Sequence, residues 1–202
     1  MKKIMFTDDL TRAVLEGRKT MTRRTMAVQT DDLCARLRVD EKGRCCWMLA
    51  GDYPEGGRFF RPPFEANSIV ALAQRYSDIV SGELYADELL VDKLHLEDTS
   101  GWSNKMYVAA DLMPHKIRMN SWRVERLQDI SDEDCLREGV RKLESEGNPT
   151  MFTFDGWKFK NKVNRCVDSP KEAFAALIDK ISGKGTWNKN PWVWVYWFQL
   201  VR

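Results

Sequence analysis

The amino-acid sequence predicts an α+β domain on three observations. Several apolar stretches have strand length but lack the regular strand–helix alternation that builds a parallel sheet. Three segments carry helix start and stop signals. The run 192–201 is apolar on both faces for most of its length, as a covered central strand must be.

The elements follow in chain order. Ile4, Met5 and Phe6 form a short strand-like start. Thr7 then reads as a helix N-cap, with Asp8 and Asp9 in the first turn, where the helix dipole favours carboxylates. Leu10, Ala13 and Val14 recur at helical spacing, and Gly17 supplies the stop. Residues 37–39 and 45–49 flank a Gly-containing loop and predict a hairpin, followed by a turn-rich segment at 51–57. Residues 69–73 predict a buried strand. Between 77 and 118 the spacing is mixed: 79–80, 84–85 and 89–91 are apolar, Gly101-Trp102 suggests a turn, and 106–108 suggests a short strand. Residues 117–127 alternate apolar and polar, as a half-buried strand does. Ser131 caps a second helix with Asp134 in the capping-box position, Ile130 as a hydrophobic staple to Cys135, and a stop at Gly139. The third helix has Ser169 as cap, Pro170 at its first position and Glu172 in the box. Its expected buried stripe is Phe174, Leu177, Ile178 and Ile181. Residues 187–191 predict a turn, and 192–201 the last strand, whose aromatics read as core.

One domain of 202 residues is expected, with insertions at 26–62, 77–118 and 144–166. The longest apolar run is seven residues and no signal-peptide core is present, so a cytoplasmic protein without a membrane span is expected. The five cysteines (Cys34, Cys45, Cys46, Cys135, Cys166) show no CxxC spacing. His95 and His115 show no metal-ligand spacing, so neither a disulfide framework, a metal site nor a cofactor is expected. A monomer is expected.

The net charge of +2 is unevenly spread, with basic excess in residues 1–30 and again in 151–165. That suits a small or single-stranded nucleic-acid ligand better than a long duplex, although solvated surface charge is the plainer account of the second cluster. The densest part is Gly17-Arg18-Lys19-Thr20-Met21-Thr22-Arg23-Arg24, in which four of eight residues are basic and two carry hydroxyls. If it is extended from Thr20, then Thr20, Thr22 and Arg24 share one face, and Met21 and Arg23 the other. Two readings follow: an anion-binding or catalytic wall, or solvated charges on an edge strand.

Three stretches together resemble a known family. Gly17-x-Lys19-x-x-Thr22-x-Arg24 is similar to the signature of the ASCH domain (activating signal cointegrator homology), a relative of the PUA RNA-binding fold. Residues 126–131 with Arg137-Glu138-Gly139-Val140 resemble the strand-to-helix segment of bacterial and phage members, and 190–195 resembles their closing strand. The resemblance implies a PUA-like small mixed β-barrel with flanking helices and a cleft beside the first motif. It implies RNA or a modified nucleoside as partner. Some bacterial members are amidohydrolases that deacetylate N4-acetylcytidine, which implies Thr22 as nucleophile, Lys19 as base and Glu138 as acid/base. Arg18, Arg23, Arg24 and Thr20 are the expected ligand or phosphate contacts. The alternatives are a non-catalytic RNA-binding module, a phage or prophage accessory factor that binds another protein, or a ribonuclease. The chain departs from the family with Asn67-Ser68 where relatives often have Gly-Asp, with Gln74 where many carry a carboxylate, and in being longer. Read without the family, Glu138 before a terminal glycine is an exposed helix residue.

The chemistry stands on its own terms. A threonine hydroxyl needs a base to become nucleophilic, and a buried lysine with a lowered pKa can serve as one. A carboxylate can pass the proton to the leaving amine, and a guanidinium can hold a phosphate or a developing oxyanion.

Overall fold

An open, five-stranded mixed sheet organises the chain. A computed structural model describes residues 1–30, 36–41, 44–48, 59–80, 95–144, 146–158 and 165–201. The elements are β1 (Lys2–Ile4), α1 (Asp8–Leu15), β2 (Met21–Thr25), β3 (Arg36–Val39), β4 (Cys45–Met48), β5 (Ile69–Leu72) and α2 (Tyr76–Val80), then β6 (Lys116–Arg126), α3 (Asp132–Arg137), β7 (Arg141–Leu143), β8 (Met151–Thr153), α4 (Pro170–Ser182), α5 (Thr186–Lys189) and β9 (Trp192–Val201). Sheet order is β1-β5-β6-β9-β2. The β1–β5 pair is parallel and the other pairs are antiparallel. The α+β class is therefore observed, but the closed barrel is not. With β1 and β2 at the two edges, the described strands leave the sheet open.

β9 is an interior strand, flanked by β6 and the edge strand β2, and β6 holds the central place expected for it. Val193, Trp194, Val195, Tyr196 and Phe198 are all buried, so the residues that made its sequence apolar on both faces are core. They join Leu10 and Val14 of α1, Cys135 of α3, and Phe174, Leu177 and Ile178 of α4 in one hydrophobic cluster. A smaller cluster under α2 holds Ala73, Tyr76, Val108 and Met113. Two hairpins, β3–β4 and β7–β8, stand apart from the main sheet.

The cap residues behave as their chemistry requires. The hydroxyls of Thr7, Ser131 and Ser169 accept from the backbone N–H of Leu10, Asp134 and Glu172 respectively.

Three local expectations are corrected. The strand expected at 106–108 is instead a 3-10 turn, Lys105–Tyr107, because the Asn104 side chain accepts from the Met106 N–H at 2.9 Å and caps it. The turn expected at 187–191 is overlapped by the four-residue helix α5, and the Asp179 carboxylate accepts from the N–H groups of Gly185 and Trp187 at 2.9 and 2.8 Å. Ile181, expected in the buried stripe of α4, is 42% exposed because the core beneath the helix ends at Ile178. Cys34, the turn-rich 51–57, the apolar positions at 84–85 and 89–91, and 159–162 lie outside the described residues. No helix among the described residues is long and apolar enough to cross a membrane, and those residues contain no cluster able to hold a metal ion.

Candidate functional site

The site begins where two helices end. At the end of α1, Gly17 takes φ +74, its N–H donates to Val14 O at 3.0 Å, and the Arg18 N–H donates to Ala13 O at 2.9 Å. This is the paired hydrogen-bond pattern of a Schellman cap. At the end of α3 the pattern recurs: Gly139 takes φ +109, its N–H donates to Leu136 O at 3.0 Å, and the Val140 N–H donates to Cys135 O at 3.2 Å. The first cap turns the chain so that Lys19 leads into β2, and the second makes Glu138 the C-cap that follows the last helical residue, Arg137.

These two ends meet. Lys19 Nζ donates to the Glu138 carboxylate at 2.7 Å and to the Glu138 backbone carbonyl, also at 2.7 Å. The Thr20 N–H donates to Arg137 O at 2.9 Å. The basic motif thus satisfies carbonyls that a helix C-terminus leaves without partners, and places a cation where the helix dipole favours one. Lys19 is 2% exposed and Glu138 4% exposed. Glu138 is therefore a buried residue and not the exposed one that its position in sequence suggests.

β2 lies at a sheet edge, yet its first three side chains are covered. Met21, Thr22 and Arg23 are all buried. Of the two readings of this stretch, the edge position holds but the solvated charges do not. Arg23 is enclosed by carboxylates: NH1 donates to Glu138 Oε1 at 3.1 Å, NH2 to Asp134 Oδ2 at 2.9 Å, and Nε and NH2 to Glu125 Oε1 at 2.9 and 2.6 Å. Arg123 completes the group, donating to Glu125 Oε2 at 2.6 Å and to Asp134 Oδ2 at 2.9 Å. Arg24 goes elsewhere. Its NH2 donates to Met5 O at 2.6 Å, its guanidinium lies 5.2 Å from the centre of the Phe6 ring, and its buried Nε has no hydrogen-bond partner.

The electrostatics follow from this geometry. Burial lowers the pKa of Lys19, and the charge of Glu138 opposes the shift without cancelling it. Burial acts to lower the pKa of Arg23, but Glu138 and Glu125 outweigh it and raise it. Burial alone pushes the Asp134 carboxyl up, yet hydrogen bonds from Arg23 and Arg123 hold it below the usual carboxylate range. Glu138 therefore has two cationic partners, one of which, Arg23, keeps its proton. Of the two, Lys19 is the one whose pKa lies below its usual value.

Lys19, Thr22 and Glu138 line a single cavity of about 310 Å³, together with Arg23 and Arg24. Its other side is Phe6 and the α4 stripe of Phe174, Leu177, Ile178 and Ile181. Arg18 and Thr20, expected as ligand contacts, do not line it. Arg18 pairs with Glu16 and with Asp155, the latter at 3.0 Å. Arg23, expected as a phosphate contact, has its guanidinium held by Glu125, Asp134 and Glu138. Gln74 also stands outside the cavity lining, with its Oε1 2.7 Å from His115 Nδ1, so its lack of charge leaves the cavity unchanged.

Sequence reasoning missed Glu125, Asp134 and the α4 wall. One signal was available. Asp134 and Glu138 are spaced i, i+4 on one short helix, where like charges repel unless a cation sits between them. No family model, curated protein or solved structure matches the chain.

Proposed function

We propose that the chain is an ASCH-type protein of the PUA-related class, working as an amidohydrolase on N-acylated nucleosides of the N4-acetylcytidine kind. The observation that carries this is the convergence of Lys19, Thr22 and Glu138 on one cavity, with Lys19 Nζ 2.7 Å from the Glu138 carboxylate.

The reaction runs in two stages. Neutral Lys19 takes the Thr22 hydroxyl proton as Thr22 Oγ attacks the acyl carbon. The carbonyl oxygen gains negative charge, and the Arg24 guanidinium on the cavity wall balances it. The carbon–nitrogen bond then breaks. The proton held on Lys19 passes through the Glu138 carboxylate to the leaving nitrogen, which departs as the free amine. Water, deprotonated by Lys19, attacks the acyl-threonine ester. The ester bond breaks, the proton returns to Thr22 Oγ, and the acyl group leaves as a carboxylic acid. One amide and one water give one acid and one amine.

Arg23 makes the resting state workable. It supplies a permanent counter-ion for Glu138, so Lys19 is free to be neutral. The same pairing takes up the donors of Lys19 and Arg23 that a phosphate-binding module would need.

The test follows the ultraviolet spectrum of N4-acetylcytidine during incubation with wild type, Thr22→Ala and Lys19→Met. Wild type should release cytidine, and either substitution should reduce turnover by roughly three orders of magnitude or more. An inactive wild type, or a Thr22→Ala protein as fast as wild type, refutes the assignment.

A further inference from the structure

Asp155 stands outside the cavity lining, yet it is bonded to both chain segments that carry the buried pair. Its Oδ2 accepts from Arg18 NH2 at 3.0 Å, and its Oδ1 accepts from Arg141 NH1 at 2.8 Å. Arg18 is the residue before Lys19, and Arg141 is the third residue after Glu138. The same two segments are joined once more, by the Thr20 N–H on Arg137 O. Along the two segments, the Lys19–Glu138 bond therefore lies between a backbone tie on one side and the Asp155 bridge on the other. Asp155 is itself held in place. It belongs to the turn after β8, where the Trp157 N–H donates to Phe154 O at 3.1 Å and the two rings stack with centroids 4.8 Å apart. Phe154 is core. Lys180 of α4 donates to Gly156 O at 3.1 Å, and a Cβ on Gly156 would collide with the Asp9 carboxylate of α1. Burial acts to raise the Asp155 pKa, but the hydrogen bond from Arg141 and the charge of Arg18 outweigh it, so the carboxylate stays ionised.

We propose that Asp155 is a positioning residue, whose carboxylate bridges Arg18 and Arg141 and thereby holds Lys19 against Glu138. The effect on turnover rests on the amidohydrolase reading; the effect on the closure of the pair does not. The Arg18 and Arg141 side chains are both partly exposed, and ion pairs of that kind add little to stability. What the bridge fixes is geometry. One planar carboxylate, with one oxygen on each guanidinium, sets the separation between the chain leaving α1 and the chain leaving α3. Lys19 and Glu138 stand at those two exits, and a proton passes between such groups only while their spacing is kept. Asp155 comes from 144–166, a segment that the sequence sets apart as an insertion. That segment thus serves the site without entering the cavity.

The experiment compares the full-length wild type with Asp155→Asn, Arg18→Gln and Arg141→Gln. Glu16→Gln is the control, because it removes the other carboxylate on Arg18 and leaves the bridge. The first readout is the closure of the pair: labelling of Lys19 by acetic anhydride, and of the buried Cys135 thiol by iodoacetamide, quantified by peptide mass spectrometry. Each of the three bridge substitutions should label Lys19 roughly tenfold faster or more, as a local opening does, with Cys135 as slow as in wild type. The second readout is turnover of N4-acetylcytidine. The same substitutions should lower kcat by about ten- to hundredfold at unchanged KM, the size expected of a misplacement on the ångström scale. Adding Asp155→Asn to the Arg18→Gln, Arg141→Gln double variant should cost nothing more, because the bridge is already gone. Lys19 labelling that stays at the wild-type rate in Asp155→Asn overturns the proposal, as does an unchanged kcat in an active enzyme. Cys135 labelling that rises in step with Lys19 also overturns it, since α3 as a whole would then be loosening, and so does a loss that Glu16→Gln reproduces. If wild type hydrolyses nothing, the amidohydrolase reading fails, and the labelling still decides whether Asp155 closes the pair.

Discussion

Replacing Arg23 with methionine removes the cation from a group of three carboxylates while keeping a long apolar stem. The Arg23 side chain is fully buried, so solvent screening of its ion pairs is small. The substitution deletes hydrogen bonds to Glu125, Asp134 and Glu138 at 2.6 to 3.1 Å. Removing one partner from a buried ion pair costs about 3–5 kcal/mol, because the other is left uncompensated. Here the cost should fall near the lower end, about 3 kcal/mol, since Arg123 still holds Glu125 and Asp134 and Lys19 still holds Glu138. For a chain of this size that is a fall in Tm of about 6–12 °C. There is a second effect. The Arg23 charge helps to lower the pKa of Lys19, and its loss also leaves Lys19 as the cation hydrogen-bonded to the Glu138 carboxylate. Both changes raise the pKa of Lys19, so the acid limb of kcat against pH should move to higher pH. Guanidinium unfolding and a pH–rate profile measure the two together. A variant within 1 kcal/mol of wild type with an unmoved acid limb would show that the Arg23 group neither holds the fold nor tunes the lysine.

Two further expectations concern stability. Gly139→Ala puts a side chain where φ is +109 and where a Cβ would lie 2.9 Å from Leu10 Cδ2, so it should cost roughly 1–3 kcal/mol and also slow turnover by displacing Glu138. Gly17→Ala has open space around it at φ +74 and serves as the backbone-only control; equal losses in Tm and kcat for the two would remove the steric argument. The buried thiols give an alkaline signature. Burial raises Cys45 to about 11 and Cys135 to about 12, whereas unfolded thiols ionise near 9, so the unfolded chain releases these protons first. Stability contributed by the thiols must then fall as pH rises from about 9. Lys19 acts with the opposite sign, because its lowered pKa makes the unfolded chain hold the extra proton. The thiol contribution is therefore read as a difference: wild type should lose more stability between pH 9 and pH 11 than Cys135→Ala, in reducing buffer, and parallel curves would refute it.

The parts of the fold that rest on neighbouring residues were legible in the sequence. Thr7, Ser131 and Ser169 cap their helices, and the 192–201 run is a covered interior strand, because capping and a strand buried on both faces leave local patterns. The candidate set of Lys19, Thr22 and Glu138 came from a family resemblance, and the structure brings all three to one cavity. The enclosure of Arg23 was not legible. Arg23 on β2 is opposite Val195 on β9, and Val195 is opposite Arg123 on β6, so Arg23 reaches across an intervening strand to Glu125. Two pairing registers and the end of α3 must all be known before that contact can be foreseen. Ile181 failed for the opposite reason. Its spacing matched a core stripe, but spacing cannot say where along a helix the core stops.

The open sheet has a consequence of its own. Its edges are β1 and β2, and the Arg24 guanidinium of β2 is bonded to the carbonyl of Met5, the residue that follows β1. A barrel would join two such strands by a ladder of backbone bonds, and parting them would break several at once. Here, among the described residues, Arg24 spans the seam by its side chain, donating to the Met5 carbonyl and lying over the Phe6 ring. Releasing it exposes no backbone donor row and leaves the five strands paired as they were.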